Sequence, residues 1–448
     1  VAALAATGVV VPGRTSMPLR VTAAAGQHDL LFLPWDVPLE DWPESSLVAL
    51  PRGISRHTVR FVRMSGVVYA VKETVEAIAQ REYDLLFELG RRDVPCVDPV
   101  GIVAGRTTPD GDELPAAIIT RHLQFSLPYR ALFSSTLRPD TTNRLLDALA
   151  VLMVRLHLVG FMWGDCSLSN TLFRRDAGAF AAYLVDAETG ELHERISDGQ
   201  REYDLATAET NVGGELLDVE ASGRLHPSID PVATSAQVRE RYERLWEEVT
   251  RPVSIGRGDR HGLDARVRRL NELGFDVAEL AVETTDGGTK VTVTPKVVDV
   301  GHHSRRLLRL TGLDVEENQA RRLLNDLDAF RAWLGVEENT DEELVAHRWV
   351  AEVFEPVTGI VPPELRGKLE PAEMFHEVLE HRWFMGERLG RDLELDEVAR
   401  DYVATVLTTK PDERAVLGQR LGRPSDVTGI RFEETQELDL SELGELGD

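Results

Sequence analysis

The rhythm of apolar and polar positions changes along the chain and divides it before any single residue is considered. Thr58–Met64 alternates, with Val59 and Phe61 set against Arg60 and Arg63; Ser65-Gly66 supplies a turn, and Val67–Lys72 reads as the returning strand of a hairpin. A helix follows from about Val75 to Gly90, with Ile78, Leu85, Leu86 and Leu89 as its apolar stripe. Asp98–Gly105 and Leu114–Arg121 read as two more strands around a turn at Pro109–Asp112. From about Pro139 the period becomes helical: Leu145, Leu149, Leu152, Met153 and Leu156 mark a helix buried on one side. Asn170–Phe173 and Ala181–Val185 suit a small hairpin, and helices are expected over about Gln200–Val219 and Ala236–Val249.

A basic, Pro/Gly-containing stretch at Arg251–Arg260 marks a boundary. Beyond it come a helix (Leu263–Leu273), a strand (Val277–Thr284), a turn at Asp286-Gly287-Gly288 and a second strand (Lys290–Val298). Helices are expected at about 315–334, 341–355, 371–389 and 394–407. The expected organisation is a flexible leader at 1–28, a strand-rich segment at 29–123, a helical segment at 124–250, a mostly helical α+β domain at 255–420 and a disordered acidic tail at 424–448.

Composition adds a few exclusions. Of 448 residues, 42% are hydrophobic and 28% charged, ordinary globular usage. Asp and Glu number 76 against 50 Lys and Arg, a net charge of −26, which makes nucleic acid and acidic lipid poor partners. Phe432–Asp448 holds seven acids and no base. Two cysteines, Cys96 and Cys166, are too few for a disulfide framework and fit a reducing compartment. No apolar run is long enough to span a bilayer, and Val1–Val11 lacks the basic flank of a signal peptide, so the expected location is cytoplasmic.

The chemistry concentrates in three places. Val68–Lys72 ends a strand in one of only five lysines. In the helix that follows, Glu82 sits at i+4 from Ile78 on the apolar stripe, where a carboxylate needs a partner; Lys72 is the nearest candidate. Two alternatives stand beside this: Glu82 reaches water at the stripe's edge, or Glu76 takes the pairing role. The second place is the run Leu156–Asn170, which contains Gly164-Asp165 and, five residues after Asp165, Asn170. The third is Leu184-Val185-Asp186-Ala187-Glu188, sixteen residues beyond Asn170. An Asp-x4-Asn run with a later Asp at a strand end is the pattern of phosphoryl transfer: one carboxylate for the acceptor's proton, an amide oxygen and a second carboxylate for divalent metal.

With those residues in place, roughly 30–250 resembles the protein-kinase-like superfamily, in particular its lipopolysaccharide kinase (Kdo/WaaP)-like atypical branch with a Gly-Asp catalytic loop. The resemblance implies an α+β, bilobal fold with a β-rich N-lobe at 29–123 and a helical C-lobe at 124–250, followed by a mostly helical α+β domain that resembles DUF4032. It implies ATP and Mg²⁺ as cofactors and an ATP-dependent phosphotransferase acting on an unknown acceptor hydroxyl. Asp165 matches the catalytic base, Asn170 and Asp186 the metal ligands, and Lys72 with Glu82 the phosphate-binding pair. Ile119–Leu123 falls at the adenine-binding hinge, placing Thr120 and His122 at the nucleotide. Pro51–His57 stands where a glycine-rich loop belongs, with Gly53 and Ser55 as phosphate contacts. The chain departs from the family pattern in this single-glycine loop, in Ala-Glu after Asp186, and in lacking an Ala-Pro-Glu segment. Those departures argue for an atypical acceptor and keep open a nucleotide-binding pseudokinase that acts as a regulatory scaffold, with 255–420 as a protein-docking region. A nucleic-acid adaptor conflicts with the charge.

Other features attract less chemistry. Glu373, His376, Glu377, Glu380 and His381 fall on one helix but do not form His-Glu-x-x-His; a solvated face, with Phe375, Leu379 and Trp383 on the apolar side, is expected. His302-His303 with Arg305, Arg306 and Arg309 is expected as a helix start whose arginines form salt bridges. His347-Arg348-Trp349 recurs as His381-Arg382-Trp383, suggesting that the two tryptophans share a packing role. Cys166 is expected to be structural.

Overall fold

Five antiparallel strands, β1 (Arg20–Ala23), β2 (Val59–Met64), β3 (Val67–Thr74), β4 (Pro99–Ala104) and β5 (Ala116–Arg121), form the N-terminal sheet in the order β1-β4-β5-β3-β2. They belong to a computed structural model that describes residues 19–23, 28–48, 57–133, 139–251, 253–256, 275–285, 290–335 and 341–410. Helix α1 (Glu76–Arg91) covers one face of the sheet, where Ala79, Leu86 and Leu89 share a core with Ile102 and Ile118. Lys72 lies directly across from Ile118 in the β3–β5 register, so strand alternation turns it toward α1. The opposite face, carrying Val71, Val103 and Ile119, is capped by Leu30, Trp35, Leu39 and Trp42. Arg106, almost wholly buried, pins this cap by binding Glu73 at 2.7 Å and the carbonyls of Trp35, Val37 and Pro115.

One expectation for this region is corrected. Residues 1–28 were expected to form a flexible leader, yet Arg20–Ala23 pairs with β4, and Arg20 binds Glu76 at 2.6 Å. A four-residue edge strand is held by backbone hydrogen bonds and carries almost no alternation to read. Its docking explains Gly101, where a Cβ would lie 2.7 Å from the Thr22 carbonyl oxygen.

The helical lobe is built on α3 (Pro139–Leu158), after the short β6 (Ser126–Pro128) and α2 (Tyr129–Leu132). Leu145, Leu149, Leu152, Met153 and Leu156 are all buried, as their spacing predicts. β7 (Phe161–Met162) pairs with β10 (Glu191–Leu192), and a hairpin of β8 (Thr171–Asp176) and β9 (Ala179–Leu184) lies beside β6. Helices α4 (Asp198–Ala221) and α5 (Pro231–Thr250) complete the lobe, starting at Ser197 and Asp230, whose side chains cap them. Next comes a three-stranded sheet of β11 (Val253–Gly256), β12 (Phe275–Thr285) and β13 (Lys290–Val300). Helices α6 (His302–Thr311), α7 (Glu317–Leu334) and α8 (Glu342–Trp349) follow. The expected helix at Leu263–Leu273, the Asp286–Gly288 turn and the acidic tail at 424–448 lie outside the described residues.

The chain forms two compact units, the first ending at Trp349 and the second beginning at Val350. The second holds a π-helical turn (Val350–Phe354), α9 (Glu355–Gly359), α10 (Pro371–Leu389) and α11 (Leu395–Thr405). Two expectations fail here. The polar residues of α10 do not all form a solvated face: Glu373 and His376 are buried with Met374 and Phe375, while Trp383, assigned to the apolar side, is 59% exposed. The two tryptophans therefore do not share a role, since Trp349 is fully buried and its indole donates to Asp326 at 2.8 Å. Two of the three arginines of α6 form ion pairs, Arg306 with Glu342 at 2.6 Å and Arg305 with Asp93 at 3.7 Å. No helix among the described residues is long and apolar enough to cross a membrane.

Candidate active site

The Lys72 ammonium is 2.8 Å from Glu82, 2.9 Å from Asp186 and 3.2 Å from Glu188. Glu82 is 2% exposed, so it does not reach water, and its rival Glu76 is instead at the surface with Arg20. Burial disfavours the charged ammonium, but Glu82 and Asp186 outweigh it and raise the Lys72 pKa above its ordinary value, keeping it a cation. Glu82 is pushed up to about 7, by burial first and then by the Asp186 charge, with Lys72 pulling the other way. Burial alone would raise Glu188 too, yet Lys72 and His57 hold it below the usual carboxylate range.

Asp186 is fixed from several sides. The Trp163 indole donates to its carbonyl oxygen at 2.9 Å, and the Glu188 backbone N–H donates to its carboxylate at 3.0 Å. Its neighbour Val185 donates its backbone N–H to the Asn170 carbonyl at 3.0 Å. The Asn170 side-chain amide in turn donates to the Asp165 carboxylate at 3.2 Å and to its carbonyl at 3.1 Å. Lys72, Glu82 and Asp186 thus meet directly, and one hydrogen-bonded path joins them to Asn170 and Asp165. Thr120 and His122 stand at the end of β5, with Thr120 opposite Ala70, two residues before Lys72. Burial pushes the His122 imidazole down to about 4, so it is neutral at physiological pH. Gly53 and Ser55 lie outside the described residues; His57, just beyond them, reaches Glu188 at 3.1 Å.

Sequence reasoning missed the supports of the Asp165 loop, which come from α4. Asp204 is wholly buried and accepts from the backbone N–H groups of Trp163 at 2.6 Å and Gly164 at 2.7 Å, with His157 at 3.2 Å. Asn211 donates to the other Asp165 carboxylate oxygen at 3.0 Å. Glu215 accepts from the N–H groups of Leu168 at 2.7 Å and Ser169 at 3.1 Å, and from the Ser169 hydroxyl. Asp204, Asn211 and Glu215 are seven and four residues apart, one face of a helix. The signal was available, because Leu205, Ala208, Val212 and Leu216 form the core beside them, the same conflict of charge and apolar face that singled out Glu82. In the sequence Glu188 stands out only as a departure from the family pattern. Cys166 is buried, with its thiol pushed well up by burial and then by Asp204, which fits a structural role.

Among the described residues, Glu82, Asp186 and Glu188 form a set whose ligand oxygens all lie within 4.8 Å of one another. Carboxylate oxygens are hard donors, the kind Mg²⁺ takes, and three of them against one ammonium leave local negative charge for a cation to balance.

Residues 64–213 match the lipopolysaccharide kinase (Kdo/WaaP) family. That span contains Lys72, Glu82, Asp165, Asn170 and Asp186, the residues just described. The observed two-lobed architecture is kinase-like, β-rich through β5 and mainly helical from α3 onward. Residues 244–407 match a domain of unknown function, DUF4032. No curated protein matches the chain. A similar solved structure is described as WaaP in complex with acyl carrier protein; it is 17% identical, covers 57% of this chain and 99% of its own, and has a TM-score of 0.35.

Proposed function

We propose that this protein is an ATP-dependent phosphotransferase with Asp165 as its catalytic base. The observation that carries the reading is the convergence on Lys72: a half-buried ammonium kept in its charged form by Glu82 and Asp186, tied through Val185 and Asn170 to Asp165. Lys72 would bind the α- and β-phosphate oxygens, oriented by Glu82. Asn170 and Asp186 would hold Mg²⁺, which when bound neutralises charge on the phosphate oxygens. With the Asn170 nitrogen directed at Asp165, its amide oxygen is the atom left for that role. Asp165 would accept the proton of the acceptor hydroxyl as its oxygen bonds to the γ-phosphorus and the bond to the bridging β–γ oxygen breaks, releasing ADP. Asn170 and Asn211 each donate to one Asp165 oxygen, so the carboxylate is aimed before substrate arrives. Thr120 and His122 would face the adenine. The matched family makes a sugar hydroxyl the first acceptor class to try.

Transfer from γ-labelled ATP with Mg²⁺, using the full chain and bacterial lysate or glycan fractions, tests this. Asp165→Ala should lose transfer by about a hundredfold or more while keeping ATP affinity, because a base acts on the acceptor and not on the nucleotide. Wild-type protein that is stabilised by ATP and Mg²⁺ but transfers nothing would overturn the catalytic reading and leave a nucleotide-binding scaffold.

A further inference from the structure

The segment of unknown function does not stand clear of the kinase-like lobes, since α6, α7 and α8 belong to the same compact unit. The start of α7 grips the β8–β9 hairpin. Glu316 accepts a hydrogen bond from the Tyr183 hydroxyl at 2.6 Å and lies 2.9 Å from the Arg174 guanidinium. Tyr183 pairs with Leu172 in register, and Arg174 is two residues further along, so both side chains leave the same face of adjacent strands. At the turn end the roles reverse. Asp176 of the hairpin caps α7, accepting from the Gln319 backbone N–H at 2.7 Å and the Asn318 side chain at 2.9 Å.

This hairpin carries the two metal-ligand candidates. β8 begins immediately after Asn170, and β9 ends two residues before Asp186. Antiparallel pairing makes those ends neighbours, with Thr171 opposite Leu184 and the Val185 N–H on the Asn170 carbonyl. Asn170 and Asp186 therefore sit at the open end of a two-stranded lever whose middle and closed end are held by α7. Apolar packing alone would let the hairpin slide or tilt. Directional bonds from one carboxylate to both strands, in a buried setting, fix its register and angle.

Resting on the phosphotransferase reading, we infer that Glu316 is a positioning residue for Asn170 and Asp186, acting through Tyr183 and Arg174, so that residues 302–349 set the metal affinity of the site. The unknown domain is then in part a component of the kinase-like machinery.

The test uses the full chain and Mn²⁺, whose electron paramagnetic resonance signal separates free from bound ion, measured in the presence of ATP. Tyr183→Phe and Glu316→Gln should each weaken Mn²⁺ binding by about tenfold, the low end for groups that orient metal ligands. The double variant should be little worse than the poorer single one, because both act through one contact. Arg306→Gln, which breaks only the α6–α8 ion pair, should bind Mn²⁺ as wild type does. If Glu316→Gln fails to fold, Tyr183→Phe decides alone. Unchanged Mn²⁺ affinity in the variants, or an equal loss in Arg306→Gln, overturns the inference. Wild-type protein that binds and transfers while the variants match it removes this inference only. Wild-type protein that binds no Mn²⁺ with ATP removes the functional reading as well.

Discussion

Around Lys72 the ratio of charges matters more than any one contact. Three carboxylates and one ammonium leave the site net negative, and ATP brings more negative charge of its own. Glu188 is the carboxylate with no counterpart in the family pattern, and it contacts both Lys72 and His57. At an effective dielectric near 20, one unit charge about 10 Å from another is worth on the order of 1–2 kcal/mol, roughly tenfold in affinity. Glu188→Gln should therefore bind Mg²⁺-free ATP about tenfold more tightly than wild type, with a smaller gain on adding Mg²⁺. Calorimetric titration in chelator and then in Mg²⁺ checks this; equal affinities for the two proteins in chelator would refute it. Lys72 and Glu82 were legible in sequence because a buried carboxylate on an apolar stripe demands a cation. Glu188 was not, because its role arises only when a strand end folds back on the ammonium.

Among the elements, α4 has the widest influence on the Asp165 loop. The loop Trp163–Asn170 is irregular backbone, and its N–H groups need acceptors wherever they are buried. Asp204 and Glu215 supply them, and Asn211 steers Asp165 itself. Asp204→Asn would replace one acceptor oxygen with an N–H₂ group facing a backbone donor. The loss should be about 3 kcal/mol of stability, from hydrogen bonds to a charged group worth roughly 1.5–3 kcal/mol each. Urea unfolding measures it, and phosphotransfer should fall further than the stability loss accounts for, since Trp163 also holds Asp186. The long helices and the paired strands of the N-terminal sheet could be read directly, because apolar periods of two and 3.6 survive folding unchanged. Arg20–Ala23 could not, since an edge strand joins through backbone alone. The solvated reading of α10 failed for a related reason: Glu373 and His376 are buried, and polar composition does not report burial.

For the molecule as a whole, composition places a boundary near Arg251–Arg260, whereas the first compact unit continues to Trp349. The difference has a physical origin. A Pro/Gly-rich basic stretch marks a break in local pattern, but units are held by long-range contacts that no local pattern records. Here those contacts are polar: Glu316 with Tyr183 and Arg174, Asp176 with α7, and Arg305 with Asp93 of the β-rich lobe. A chain ended after Thr250 would leave Asp176, Arg174 and Tyr183 without these partners. Asp176, a buried carboxylate, and the Tyr183 and Arg174 side chains would lose the hydrogen bonds that satisfy them. Such a chain should therefore melt well below one ended after Trp349. A chain ended after Trp349 keeps every one of those contacts and should unfold in a single cooperative transition, with ATP and Mg²⁺ raising its midpoint. Calorimetry on the two truncations decides the point. Equal midpoints would mean that α6–α8 contribute nothing to the kinase-like fold, however closely they lie against it.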